Sequence, residues 1–430
     1  MSDYISGYYQ QSLTDRRDCK VLETHCAVDV CVVGGGLAGL TTARELAIGG
    51  KKVVLLEQYK IGWGASGRNG GFVSSGFALG MPALEKRLGF RHAKALYDLS
   101  VTGLEYVADR VRDFSDDGLK TGDGWLSVSR HDDENNIRRS TSHMVDAYGA
   151  PLRYCDIATV RRELKSKRYF QGCIDSSAFH IHPLNYARRL AEDAQQHGAI
   201  VYEQSGVINL FYDGLEWVVE TRSGNVVRAR DVVMCGSAYL QKVLPKIERA
   251  ILPVATYVIT TIPEPDMLDN IIGYDGCIAD TRRAGDYYRK TGNGRLLWGG
   301  RISTRRSEPR KLAGLLKKDI LSIYPEFGDL KIESAWSGLM GYCVHKMPLI
   351  GNLKPGLWVA TGFGGHGLNT TAMAGKLIAS AIGSGDDQYK LFDPFKAMWG
   401  GGVLGRSATQ IAYWHMQLKD KWDERRKSKA

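Results

Sequence analysis

The sequence predicts an α/β fold: a Rossmann-like nucleotide-binding domain, discontinuous along the chain, plus an α+β domain with a large mixed or antiparallel sheet. Three observations predict it. An apolar strand, Asp29–Val33, runs into the turn Gly34-Gly35-Gly36-Leu37-Ala38-Gly39 and then a helix. A second glycine-dense loop, Ile61–Gly71, follows the next strand. A third strand, glycine turn and helix recur more than 300 residues downstream, at Leu357–Thr371.

Gly34, Gly36 and Gly39 have the G-x-G-x-x-G spacing. The first glycine allows the tight bend, the second lets backbone approach a pyrophosphate, and the third packs helix on strand. The helix N-terminus offers free N–H groups to the phosphates. Leu40, Ala43, Leu46 and Ala47 share one face of that helix, and Gly49-Gly50 ends it. Lys52–Glu57 reads as a parallel strand whose terminal acid, 18 residues past Gly39, accepts hydrogen bonds from a ribose diol. A glycine turn that merely packs a βαβ unit is the plainer alternative.

Glu57 argues against a 2′-phosphate but does not separate NAD from FAD. The loop Ile61–Gly71 does, because FAD is longer and its ribityl chain and ring need further backbone contacts. Ser66, Arg68 and Asn69 suit phosphate and ribityl oxygens; Gly70 and Gly71 let a ring lie against backbone. The apolar flanks Ile61, Trp63, Phe72 and Val73 speak against a plain surface loop. In the third turn, a helix N-terminus aimed at the N1–C2=O edge stabilises the negative charge of reduced flavin.

These segments resemble FAD-dependent amine oxidoreductases of the D-amino-acid oxidase superfamily, and within it γ-glutamylputrescine oxidases. The likeness is carried by Cys31–Gly36, Ile61–Gly71, His180-Ile-His-Pro-Leu-Asn185, Gly236–Leu240, Asp286-Tyr-Tyr-Arg289, Arg295–Gly300 and Gly364-Gly-His-Gly367. It implies oxidation of a C–N bond by hydride transfer to flavin N5. It implies FAD contacts at Gly34, Gly36, Leu37, Ala38 and Gly39, then at Glu57 and Gln58. Further contacts are implied at Ala65, Ser66, Arg68, Asn69, Gly70 and Gly71, with a backbone contact to adenine near Val207 and a contact at Gly236. The flavin edge falls on Gly364, Gly365, His366, Gly367, Leu368 and Asn369. Phe72 stands where these relatives carry a glutamine-bearing pattern. Asn369 replaces the basic residue with which sarcosine oxidases hold a small carboxylate, which argues against so small an amino acid.

The 430 residues favour two domains, and 43% hydrophobic content is ordinary for a globular chain. The eight cysteines show no C-x-x-C and no metal spacing, so no metal is expected. Some relatives attach flavin through a cysteine; that position falls at Met340 rather than Cys343, so noncovalent FAD is expected. The N-terminus has neither basic nor apolar signal regions and no apolar run spans a membrane, so a cytoplasmic location is expected. The net charge of +10 is dispersed, apart from Arg305-Arg306 and the tail Arg425–Lys429, and reads as a solvated basic surface without nucleic acid.

The FAD domain is expected to comprise residues 1–85, 150–240 and 346–385, and the substrate domain 86–149 and 241–345. Within the first, 183–197 reads as a helix, and the strands at 207–212, 217–221 and 226–229 are joined by Asp213-Gly214 and Ser223-Gly-Asn225 turns. Residues 386–430 form a tail whose helix near 404–422 aligns Leu404, Ala408, Ile411, His415, Leu418 and Trp422 on one stripe. That stripe is expected to dock on the body; lying on a membrane is the alternative.

Amine oxidation needs a free nitrogen lone pair. A dry aromatic cavity lowers an amine pKa while its ring faces attract the incoming cation. Tyr287, Tyr288, Trp298, Trp336 and Tyr342 are the candidates, two or three of them facing the flavin. Arg301 is a candidate clamp for a distal carboxylate, or a surface ion pair. His366 sits in the flavin-edge turn, and Lys346 is a candidate for assisting dioxygen reduction. The expected partner is a small amine, with dioxygen as acceptor and an oligomeric state that the sequence leaves open. The alternatives are a secondary amino acid dehydrogenase feeding a quinone, and an FAD domain acting on a modified tRNA base, the latter suggested by the charge alone.

Overall fold

The structure, a computed structural model, describes residues 3–114, 118–240, 242–283, 285–304, 309 and 311–427, the last by its backbone alone. Arg305-Arg306 and Ser428-Lys429 lie outside the described residues.

Continuous apolar runs build the first sheet. Cys26–Val33 takes parallel partners on both sides, Val53–Leu56 and Val226–Met234. Leu357–Thr361 extends the sheet beyond Val226–Met234, and Ile200–Tyr202 beyond Val53–Leu56, again in parallel. Strands buried on both faces need helices above and below. Leu37–Ile48 supplies one cover and packs against Gly367–Ser384 and Pro183–Gln196. The meander Val207–Tyr212 and Trp217–Thr221 hangs antiparallel from Val226–Met234, as its turn residues predict.

Among the described residues, the second sheet has nine strands and is mostly antiparallel, with a single parallel pair, Cys277–Asp280 beside Lys120–Val128. At one edge, Leu252–Thr261 lies between the edge strand Ile332–Tyr342 and Leu296–Ser303. One face buries Leu296, Trp298 and Tyr288 against the helix Leu312–Ile323. The other face carries Val258, Leu297 and Trp336 against Tyr8 and Tyr9 of the N-terminal segment.

The fold class is as the sequence predicts, but the two sheets divide the chain differently. Gly172–Ile181 and Phe72–Val73, expected in the FAD domain, are strands of the second sheet. The helix Phe90–Phe114, expected in the substrate domain, packs on Gly367–Ser384 beside the first sheet. The final helix runs Gly402–Lys427 and docks through the face opposite to the one expected. Tyr413 and Asp420 are buried, while Leu404, Ile411, Leu418 and Trp422 face outward.

Candidate active site

The three glycine turns converge on one cavity of about 780 Å³, within the range of cofactor and ligand pockets. Gly36 at one end and Gly365 at the other both line it. At the first end, Gly34 has φ +114°, a conformation open to glycine but strained for other residues. A Cβ on Gly36 would stand 2.9 Å from Ser66 Oγ, and one on Gly39 would collide with the Gly34 carbonyl. Gly36 therefore opens backbone to the cavity. Gly39 serves helix packing and stands behind the wall, a correction to its place among the FAD contacts.

The helix Leu37–Ile48 starts without a side-chain cap, so its first N–H groups face the cavity as anion donors. The Leu37 N–H meets Ser66 Oγ at 3.1 Å; by accepting there, Ser66 keeps its own proton to donate. Glu57 lines the cavity and receives the Gly35 N–H at 2.6 Å and the Tyr59 N–H at 2.8 Å. Burial raises its pKa while these backbone donors pull it down. Its remaining lone pairs suit a diol. Gln58, Ala65, Val207 and Gly236 share this wall.

In the second loop, Asn69 donates to the Ala65 and Ser66 carbonyls and accepts the Gly71 N–H, so it shapes the loop as well as lining the cavity. Arg68 lines the cavity too; its guanidinium lies 4.1 Å from the Trp63 ring centroid and donates to the Trp63 carbonyl. A Cβ on Gly70 would lie 2.7 Å from the Tyr287 ring. Gly71, at φ +83°, backs onto the Ile181 carbonyl and does not line the cavity.

At the far end, Gly364 and Gly365 lie under Tyr342, where a Cβ on either would be 2.8 Å from its ring or hydroxyl. The helix Gly367–Ser384 starts uncapped, and Gly367 and Leu368 line the cavity. Asn369 does not: its amide donates to the Gly76 and Ser100 carbonyls, because its helical position turns it toward the helix Phe90–Phe114. His366 lines the cavity with Nε2 placed 2.9 Å from the Ser75 carbonyl, which fixes an Nε2–H tautomer. Burial lowers its pKa and keeps the ring neutral at pH 7.

The structure corrects several catalytic candidates. Tyr288 faces the opposite side of its strand, stacks on Trp298 at 4.3 Å and bonds to Tyr169 and Tyr324 in the second core. Trp336 lies on the correct face but beyond the loop, its indole donating to the Arg68 carbonyl at 3.0 Å. Lys346 is exposed in a turn at φ +60° and is not among the cavity residues. Arg301 reaches the cavity, yet its fork is occupied by Asp319 at 2.6 and 2.8 Å. Tyr342 and Tyr287 are the tyrosines of the candidate set that line the cavity.

Sequence reasoning missed several contributors, among them Phe72, Trp125 and Asp286. Phe72 and Trp125 extend an aromatic wall, with Phe72 edge-on to Trp125 at 5.4 Å and to Tyr287 at 5.5 Å. Trp125 in turn stacks on His366 at 6.5 Å. Asp286 lines the cavity, paired with Arg282 at 2.7 Å. Burial pushes its carboxyl up to about 7 against the pull of Arg282, with Asp280 adding to the rise. The readable signal was Asp286 itself, heading the run Asp286-Tyr-Tyr-Arg289.

The cavity suits FAD: a glycine-walled passage, two uncapped helix starts and a polar loop lie along one continuous space. A family model described as FAD dependent oxidoreductase matches residues 29–381. The chain belongs to this family. It is an enzyme that oxidises amines or amino acids with FAD as cofactor. It is 31% identical to the probable oxidoreductase OrdL of Haemophilus influenzae over 98% of each chain. It is 32% identical to the gamma-glutamylputrescine oxidoreductase of Escherichia coli, over 98% of this chain and 99% of that one. Among solved structures, a glycine oxidase from Geobacillus kaustophilus superposes with a TM-score of 0.72 at 20% identity, covering 87% of this chain and 99% of that one. At that identity the likeness shows the fold. Met340, where the resemblance places the attachment residue of some relatives, lines the cavity with a thioether, while Cys343 is packed under Gly362 with its thiol pushed up to about 12 by burial. Noncovalent binding of FAD is typical of the family. Among the described residues, no group of acidic, histidine or cysteine side chains is arranged to hold a metal, and no helix is long and apolar enough to cross a membrane.

Proposed function

We propose that the enzyme oxidises a C–N bond of a γ-glutamylated polyamine, or a related amino acid derivative, and passes the electrons to dioxygen. The observation that carries this reading is the aromatic wall Phe72–Trp125–Tyr287 beside the His366 turn, with Asp286 on the same cavity. Ring faces draw in an alkylammonium, and the dry wall lowers its pKa so that the neutral amine forms in place. Asp286 gives a cationic group on the substrate an ionisable partner. FAD, when bound, supplies the two-electron acceptor. The substrate gives up a hydride and a proton to become an imine, and water splits the imine to aldehyde and amine. Dioxygen takes two electrons and two protons and leaves as hydrogen peroxide.

The test is an anaerobic panel of amines scored by loss of flavin absorbance, starting with γ-glutamylputrescine, followed by oxygen uptake and peroxide assay. Bleaching by short amino acids in preference to long amines would overturn the substrate class. A second reading, transfer to a lipid-soluble quinone, is supported by the outward apolar stripe of the last helix. Fast bleaching with slow oxygen uptake would favour it.

A further inference from the structure

The helix Gly402–Lys427 carries its polar contacts on one side. Tyr413 accepts the Ile302 N–H at 3.1 Å, and Gln410 accepts the Thr304 N–H at 3.1 Å. Its three carboxylates also turn inward: Asp420 and Asp423 pair with Arg283 at 2.8 and 3.0 Å, and Glu424 with Arg130 at 3.4 Å. The opposite side is apolar. Leu404, Ile411, Trp414, Leu418 and Trp422 are 54–77% exposed at helical spacing, and Trp399 continues the stripe just before the helix. The charged side chains exposed on this helix are Lys419, Lys421, Arg425 and Arg426, all cations, and none forms an ion pair among the described residues.

A helix with an apolar face, tryptophans and a one-signed basic border lies in the plane of an anionic bilayer. A second copy of the chain fits less well, because it brings the same cations to the contact and no outward carboxylate to meet them. We propose that the outer face of the C-terminal helix docks on an anionic lipid surface. The helix whose inner face supplies Tyr413 to the cavity wall thus rests its outer face on the membrane. The lipid surface is reached by insertion of Trp414, Leu418 and Trp422 to the depth of the headgroups, with Lys421, Arg425 and Arg426 held against lipid phosphates.

The experiment is vesicle flotation of the FAD-loaded full chain with phosphatidylglycerol-containing or pure phosphatidylcholine vesicles, alongside light scattering after gel filtration. Strong binding to the anionic vesicles alone, weakened by salt, is expected. Lys421→Glu/Arg425→Glu/Arg426→Glu should reduce it ~100-fold, and Leu418→Glu/Trp422→Glu should abolish it. Both variants should keep parental FAD content and turnover of a water-borne amine, since the inner face is untouched. Equal binding to both vesicle types, no binding, or binding unchanged in both variants overturns the proposal. So does a dimer that Leu418→Glu/Trp422→Glu dissolves.

Discussion

Asp286 and Arg282 form a 2.7 Å ion pair on the cavity wall, and Asp286 lies across Gly300, where any side chain would collide with its carboxylate. The Leu-Leu-Trp-Gly-Gly run thus owes its last glycine to Asp286, and Gly299 by the same contact makes room for the Tyr287 ring. With its folded pKa raised from 3.8 to about 7, Asp286 holds a proton more tightly in the folded state. The associated stability is complete below pH 3.8 and is lost as pH rises through 7. Asp286→Asn should flatten the decline of Tm across that window. The KM for a cationic amine should fall as pH rises through 7 in the parent and stay flat in the variant. At pH 8, KM should be ~10–100-fold higher in the variant, the worth of one charge-assisted hydrogen bond.

Gly36 and Gly39 separate cofactor binding from folding. Gly36→Ala meets only the movable Ser66 hydroxyl, at 2.9 Å, so the fold should survive while FAD affinity falls ~10–100-fold, measured by titration of the apoprotein. Gly39→Ala drives a methyl into the fixed Gly34 carbonyl. It should lower Tm sharply, by about 3 kcal/mol or more of stability, or prevent recovery of folded protein.

Tyr287 and Tyr288 make an equally sharp contrast. Tyr288→Phe removes a hydroxyl bonded to Tyr169 at 3.1 Å and Tyr324 at 2.7 Å. It should cost about 1–2 kcal/mol of stability in denaturant melts and leave kcat/KM unchanged. Tyr287→Leu keeps much of the bulk but removes the ring face, and should lower kcat/KM for cationic amines ~10-fold while changing Tm less.

That contrast shows where sequence reading stops. The glycine turns and their FAD role are legible because each depends on local backbone freedom. The face of a strand is a different matter: side chains alternate with period two, and Tyr287-Tyr288 offers an aromatic to each side. Both sides of this sheet are covered, so composition does not distinguish the cavity from the core. The final helix docks through the side opposite to the one its pattern predicts, for a related reason. Its apolar stripe has the pattern of a buried side, whereas Tyr413, Asp420 and Glu424 dock through hydrogen bonds and ion pairs with residues more than 100 positions away. Lys346 is close to the return strand in sequence, but the turn that follows Cys343 carries it out to solvent.

Lys346→Met should therefore leave the rate of reoxidation by dioxygen and kcat within twofold of the parent, since the ammonium stands in bulk water where its field is screened. Stopped-flow mixing of substrate-reduced enzyme with oxygen measures this. A loss of an order of magnitude would return Lys346 to the site.

Tyr413 tests how far the last helix belongs to the cavity. Its hydroxyl is the acceptor for the Ile302 N–H at 3.1 Å, next to the paired Arg301, and both residues line the cavity with it. Tyr413→Phe leaves that amide without its partner, at a cost of about 1–3 kcal/mol, and loosens the rim on which Arg301 and Asp319 are set. The amine KM should rise several-fold with kcat little changed, because the rim positions substrate without touching the reacting bond. Gln410→Ala is the control: it removes the acceptor for the Thr304 N–H one turn away, and Gln410 does not line the cavity. It should lower Tm and leave KM alone. Equal kinetic effects from the two would mean that the helix acts through stability only.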